Sequence, residues 1–108
     1  MSDRERRVAE LVKVATAMLR REMHPVLGAR RITALCSALD LADDDIVLPI
    51  RGFEPETDDY VRESLREGFA QEYLRRVDER IAAYVAADQD SLDEDCRNIV
   101  ARFSKGSL

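Results

Sequence analysis

The sequence predicts an all-α protein, a compact bundle of about five helices with an acidic, irregular connection in the middle. Apolar residues recur at intervals of three and four through most of the chain, which is the period of an amphipathic helix. The 108 residues are 45% apolar and 36% charged, as expected for one folded domain with a well-solvated surface. Two of the three prolines lie within residues 48–60, so helices are expected on either side of that stretch.

The first helix is predicted over residues 2–24. Ser2 and Glu5 have the spacing of a capping box, in which each side chain satisfies a backbone N–H of the other residue. His24 precedes Pro25, and a residue before proline disfavours the helical conformation. The first helix is therefore expected to end there.

A second helix is predicted over residues 25–40. Pro25 suits its first position, where no N–H donor is needed. The link between the two helices is very short, so we expect an antiparallel hairpin. Gly28 lies on the apolar face and costs about 1 kcal/mol relative to alanine. Its expected compensation is a close approach of the first helix.

Residues 41–57 are predicted to form the acidic connection. Residues 46–50 are apolar but include Pro49, which indicates an extended segment packed on the core. Leu48, Ile50 and Phe53 are expected to attach this segment to the core.

Three more helices are predicted, over residues 58–68, 71–87 and 91–103, followed by a frayed tail over 104–108. Thr57 or Asp58 can cap the first of them. The expected apolar stripe of the 58–68 helix consists of Val61, Leu65 and Phe69. The polar residues 88–90 indicate a turn, and residues 91–94 repeat the capping-box pattern.

The charge is unevenly distributed, although the net charge is −5. Residues 1–39 carry a net charge of +4, whereas residues 40–59 carry eight acids and one arginine, a net charge of −7. An acidic middle repels nucleic acid and anionic membranes and would attract a basic partner. The structural interpretation is that arginines of the first hairpin pair with these acids.

The central carboxylates form the clearest candidate site. We predict that binding residues come from this cluster and the facing arginines, namely Glu54, Glu56, Asp58, Asp59, Arg30 and Arg31. A Ca²⁺ site is one interpretation, but the spacing is not that of an EF-hand loop. Solvated carboxylates and helix caps are the favoured interpretation. The sequence indicates no catalytic set, no metal-ligand set and no cofactor.

The two cysteines and the single histidine are assigned structural roles. Cys36 and Cys96 lie on apolar helix faces sixty residues apart, so each is predicted to be a buried, reduced thiol. His24 is predicted to be a hydrogen-bonded residue at the helix junction.

The longest apolar runs are only a few residues, so no membrane span is expected. Residues 1–7 are followed by no apolar signal region and no small-residue cleavage site, so a cytoplasmic location is expected.

The order of several segments resembles a family of small bacterial helical proteins of uncharacterised function. The resemblance spans roughly residues 8–103, with Pro55 and Phe69 as departures from the family pattern, and it implies a small stand-alone helical domain with no catalytic residues to transfer. Its main segments are Gly28-Ala29-Arg30-Arg31, Glu56-Thr57-Asp58 and Cys96-Arg97-Asn98-Ile99-Val100-Ala101-Arg102-Phe103.

These features favour a non-enzymatic binding or regulatory protein that presents an acidic surface to a basic partner, for example a toxin or nuclease that it neutralises. One alternative is an enzyme dependent on a metal or small ligand and using Glu54, Glu56, Asp58 and Asp59. Another is a structural homo-oligomer, such as a homodimer, whose interface lies near Ile50, Phe53, Tyr60 and Phe69.

Overall fold

The computed structural model describes residues 2–53, 57, 59–61 and 63–104. These residues form four α-helices and no strand, which confirms the all-α class but corrects the expected number of helices. The α-helices are α1 (Asp3–Leu19), α2 (Pro25–Ala38), α3 (Leu48–Phe53) and α4 (Gln71–Phe103), and a 3-10 helix (Glu63–Gly68) precedes α4. None of the helices in these ranges combines the length and the apolar character needed to cross a membrane.

Helices α1 and α2 form the predicted antiparallel hairpin. Ser2 and Glu5 make the capping box at the start of α1. Glu10 pairs with Arg31 at 2.7 Å, and Gly28 lies against Met18. A β-carbon on Gly28 would come within 2.4 Å of the Met18 sulfur, so the predicted close approach of the two helices is confirmed.

The first helix ends earlier than predicted, at Leu19 rather than at residue 24. Arg21 has a φ of 61°, a left-handed conformation that cannot continue the helix. Its Nη1 donates to the Met18 carbonyl at 3.1 Å, and its guanidinium makes two hydrogen bonds to the Asp93 carboxylate, at 2.8 and 2.9 Å. These contacts stabilise the turn before α2.

The two helices predicted over residues 71–87 and 91–103 are wrong, because α4 is one helix of 33 residues. Residues 88–90 contain neither proline nor glycine, and Gln89 donates to Asp93 at 2.9 Å one turn ahead, within the helix. Val85 and Leu92 are both buried and lie seven residues apart, so the apolar stripe continues without a break. At 1.5 Å per residue α4 is about 50 Å long, which matches the 49 Å length of the molecule.

The core lies where α1, α2 and α4 meet. The Met18 sulfur is 3.9 Å from the Cys96 sulfur, and Arg21 pairs with Asp93, so α1 and α4 are antiparallel. Since α2 is also antiparallel to α1, α2 and α4 run in the same direction. The largest fully buried side chains in this part of the core are Leu11, Val26, Ile32, Ile81, Leu92 and Ile99.

The connection over residues 41–57 contains a short helix, α3, so the extended segment predicted over 46–50 is wrong. Pro49 is the second residue of α3, a position where a missing N–H removes no intrahelical hydrogen bond. Ile50 and Phe53 are buried as predicted, but Leu48 is 39% exposed and does not attach the segment to the core.

The helix predicted over residues 58–68 is also wrong in the part that the structure describes. Asp59 lies in a turn and Val61 precedes the 3-10 helix. Val61 is buried, but Leu65 is 58% exposed and Phe69 is 45% exposed, so the predicted stripe does not face the core. Arginine side chains donate hydrogen bonds to backbone carbonyls of this region. The predicted tail lies outside the described residues from 105 onward.

Candidate binding cleft

The two arginines predicted as binding residues have different roles. Arg31 pairs with Glu10 of α1, not with the acidic middle, because α1 is the helix that faces it. Arg30 does reach the central segment, where its Nη2 donates to the carbonyls of Thr57 at 2.9 Å and Tyr60 at 3.2 Å. Arg30 therefore positions this segment through main-chain contacts.

Of the predicted carboxylates, Glu54, Glu56 and Asp58 lie outside the described residues. Asp59 forms an ion pair with Arg80 of α4. The role of these four carboxylates as a binding cluster stays a prediction.

Other acids of the middle pair with arginines from outside the first hairpin. Asp43 lies 3.0 Å from Arg51 of α3, and Asp44 lies 2.8 Å from Arg102 of α4. The hydrogen bond from Arg102 is the main cause that lowers the pKa of Asp44. Part of the negative charge of residues 40–59 is thus balanced within the molecule.

The structure brings together a different set of residues in a cleft between the start of α2, the 57–61 segment and α4. This cleft, which we call the central cleft, has a volume of about 630 Å³. Its buried floor is formed by Ile81 and Val85 of α4. Its lining comprises His24, Pro25, Tyr60, Arg66, Asp78, Ile81, Ala82, Val85, Ala86 and Gln89.

His24 links the central cleft to the start of α2. Its Nδ1 accepts a hydrogen bond from the Val26 N–H at 3.1 Å, which confirms the predicted junction role. Its ring stacks on Tyr60 with centroids 4.4 Å apart, and the residue as a whole is exposed. Partial burial is the main cause that lowers the pKa of His24, and the positive charges of Arg30 and Arg66 act in the same direction. The imidazole is therefore neutral at pH 7, with Nε2 carrying the proton.

Arginine side chains hold the non-helical wall of the central cleft. Arg30 donates to the carbonyls of Thr57 and Tyr60, and its guanidinium lies 6.0 Å from the centre of the Tyr60 ring. Arg66 donates to the Val61 carbonyl at 2.8 Å and pairs with Asp78. These contacts hold the carbonyls of Thr57, Tyr60 and Val61 in place.

A second cleft adjoins the central cleft along α4 and has a volume of about 830 Å³. We call it the outer cleft. The two clefts share Arg66 and Asp78, so the ion pair between these residues lies at their junction. Together they follow one side of α4 from Gln71 to Gln89.

The α4 segment 78–95, which overlaps the cleft-lining stretch and continues beyond it, is strongly acidic. Residues 78–95 contain seven carboxylates and one arginine. Asp93 pairs with Arg21, and this hydrogen bond is the main cause that lowers the pKa of Asp93. The pKa of Asp95 is raised, first by burial and then by the negative charges of Asp88 and Glu94. The negative charge at this position is therefore not fully balanced.

The central cleft combines apolar side chains with the Arg66–Asp78 ion pair, and the outer cleft is lined mainly by charged side chains. Neither lining includes a serine, threonine or cysteine side chain among the described residues. Cys36 and Cys96 are buried in the core, and burial raises the pKa of each thiol to about 11. Within the same described ranges, no three His, Cys, Asp or Glu side chains are grouped to hold a metal.

The chain matches no protein-family model, and neither curated proteins nor solved structures show significant similarity to it. The resemblance to small bacterial proteins therefore stays a prediction.

Sequence reasoning missed the central cleft because its lining comes from four separated segments. The sequence does contain one indication of it, the dipeptides Ala82-Ala83 and Ala86-Ala87. Four small side chains close together leave a depression on the surface of a helix. Only Ala82 and Ala86 line the cleft, a distinction that requires the tertiary structure.

Proposed function

We propose that the protein is a non-enzymatic binding module whose central cleft holds a segment of a basic protein partner. The observation that carries this proposal is the apolar pair Ile81 and Val85 beside the carboxylates of Glu79 and Asp90 on α4. A basic toxin or nuclease that the protein neutralises would be one such partner.

The floor favours a partner that inserts an apolar side chain. Ile81 is 1% exposed and Val85 is 9% exposed, and each is followed in the lining by a small side chain, Ala82 and Ala86. The volume of about 630 Å³ is ample for one or two large side chains. Gln89 offers hydrogen-bonding atoms at the edge of this floor.

The rim favours a partner with basic residues beside its apolar anchor. Positions 79, 82, 86 and 90 share one face of α4 by helical periodicity, so Glu79 and Asp90 stand on the same side as the cleft alanines. No described cation lies within ion-pairing distance of Glu79 or Asp90. Lysine or arginine in a partner would find carboxylates here, and the attraction would weaken as salt increases.

A capture experiment with two matched variants tests this proposal. Ala82→Arg fills the cleft and adds a positive charge, whereas Ala83→Arg adds the same charge to an exposed neighbour outside the lining. The wild-type chain and both variants would be used as bait in a cell lysate at about 0.05 M and about 0.3 M salt. Captured proteins would be identified by mass spectrometry.

The expected result is a basic protein retained by the wild type and by Ala83→Arg, lost with Ala82→Arg and weakened by salt. Binding of the purified partner should fall by at least about tenfold with Ala82→Arg, which corresponds to about 1.4 kcal/mol. If no captured protein distinguishes Ala82→Arg from Ala83→Arg, the central cleft is not the binding site and the proposal fails.

Self-association is a second candidate function, favoured by two exposed apolar side chains. Leu65 and Phe69 are 58% and 45% exposed, and Phe69 stacks on Tyr73 with centroids 5.8 Å apart. Ile50 and Phe53, two of the residues expected near an interface, are instead buried in the core of one chain. Light scattering over a range of concentrations would show a dimer that Phe69→Ser weakens if this surface joins two copies.

A further inference from the structure

We infer that the segment bound by this protein is an α-helix laid along the two clefts, not an extended peptide. This inference rests on the proposed function and adds the conformation and the length of the partner segment.

The two clefts provide a straight groove along one helix. They follow α4 from Gln71 to Gln89 and meet at the Arg66–Asp78 ion pair. Eighteen residues of helix rise about 27 Å, so the groove accommodates about five turns of a second helix.

The α4 residues that line the groove have the spacing that a neighbouring helix requires. Gln71, Arg75, Asp78, Ala82 and Gln89 follow one another at steps of three, four or seven residues and share one side of α4. Residues at these steps form the contact line between paired helices. Ala82 lies in the middle of this line, where a small side chain allows the closest approach of two helix axes.

The backbone of the groove argues against an extended partner. An extended peptide must find partners for its own N–H and C=O groups, usually on the edge of a sheet. The described residues contain no strand, and the backbone groups inside α4 are bonded within the helix.

Three carbonyls of the non-helical wall are already engaged by arginine side chains. Arg30 donates to the carbonyls of Thr57 and Tyr60, and Arg66 donates to the carbonyl of Val61. An extended peptide would therefore lose hydrogen bonds to water without regaining them. A helix satisfies its own backbone groups and presents only side chains, so it avoids this cost.

The groove selects an amphipathic helix with a mixed polar face. The Ile81 and Val85 floor takes apolar side chains at helical spacing, Glu79 and Asp90 take basic ones, and Arg75 takes an acidic one at the far end. This pattern of charge differs from that of a uniformly basic peptide.

Two synthetic peptides separate helix binding from binding in general. The first has about 18 residues, with leucines at steps of three and four, lysines placed beside the leucine stripe to face Glu79 and Asp90, and one glutamate placed to face Arg75. The second replaces one central lysine by proline, which disrupts a helix and leaves every leucine in place. Fluorescence anisotropy would measure the Kd of each labelled peptide for the wild type, Ala82→Arg and Ala83→Arg.

We expect the helical peptide to bind the wild type and Ala83→Arg at least about tenfold more tightly than the proline peptide, and to lose this affinity with Ala82→Arg. If both peptides bind equally and both depend on Ala82, the helix inference is overturned while the proposed function stands. If neither peptide depends on Ala82, the proposed function fails and the inference fails with it. Circular dichroism of each variant would verify that the protein remains folded.

Discussion

Replacing Gly28 by alanine tests the closest contact between α1 and α2. A β-carbon at this position would lie 2.4 Å from the sulfur and 2.6 Å from Cγ of Met18, well inside the optimal separation of nonbonded atoms. Met18 is 4% exposed, and its sulfur also contacts Cys96 at 3.9 Å. The Met18 side chain is therefore enclosed by Gly28 on one side and Cys96 on the other.

Two opposing contributions decide the stability of Gly28→Ala. Removing glycine from a helix interior gains about 1 kcal/mol, whereas forcing an extra methyl group into a packed core costs about 1–3 kcal/mol. We expect the free energy of unfolding to fall by about 1 kcal/mol on balance. Gly52→Ala is the matched control, because no atom lies within 4 Å of a β-carbon built there. Its expected effect is neutral or stabilising.

Urea unfolding followed by circular dichroism would measure these differences. The decisive comparison is Gly28→Ala made in a Met18→Ala chain, where the space beside residue 28 is open. The substitution should then become stabilising, reversing its sign. A stabilising Gly28→Ala in the otherwise native chain would refute the close contact, and an unchanged sign in the Met18→Ala chain would refute Met18 as its cause.

Three further predictions concern α4 and the titrating groups. Asp90→Pro should lower the free energy of unfolding by about 3 kcal/mol or more, because proline disrupts a helix interior; a loss below about 1 kcal/mol in urea unfolding would indicate a turn there instead. His24 has a lowered pKa in the folded state, so its contribution to stability is complete above about pH 6.5 and is lost as the pH falls through the folded pKa. His24→Asn should keep the helix cap and flatten this dependence, and a slope identical to that of the wild type would contradict this assignment. Cys36 and Cys96 have pKa values raised to about 11, so stability should decline as the pH rises from about 9 to about 11; Cys36→Ala should remove roughly half of that decline, as measured by unfolding at each pH.

Local sequence determined the starts of the first two helices. The Ser2 and Glu5 side chains lie three residues apart and can reach each other's backbone without help from the rest of the fold. Pro25 needs no N–H partner at the first helical position. Gly28 was also interpretable, since a glycine on an apolar helix face indicates that a neighbour comes close.

Polar residues do not mark a helix end in α4. Residues 88–90 are polar and predict a turn, but the buried residues Val85 and Leu92 keep the helical period across them. The contact of Asp93 with Arg21 explains why a polar helix is stable at this place. This contact joins residues 72 positions apart, so local sequence contains no indication of it.

The candidate binding cleft also combines features that local sequence predicts with contacts between residues far apart in the chain. Periodicity and neighbouring residues are sufficient to predict the all-α class, the buried cysteines and the junction role of His24. The tertiary structure decided that His24, Tyr60, Asp78 and Val85 meet in one cleft and that part of the central charge is balanced by arginines. Such contacts depend on how helices pack across long separations in sequence, and helical periodicity constrains which face is buried but not which helix covers it.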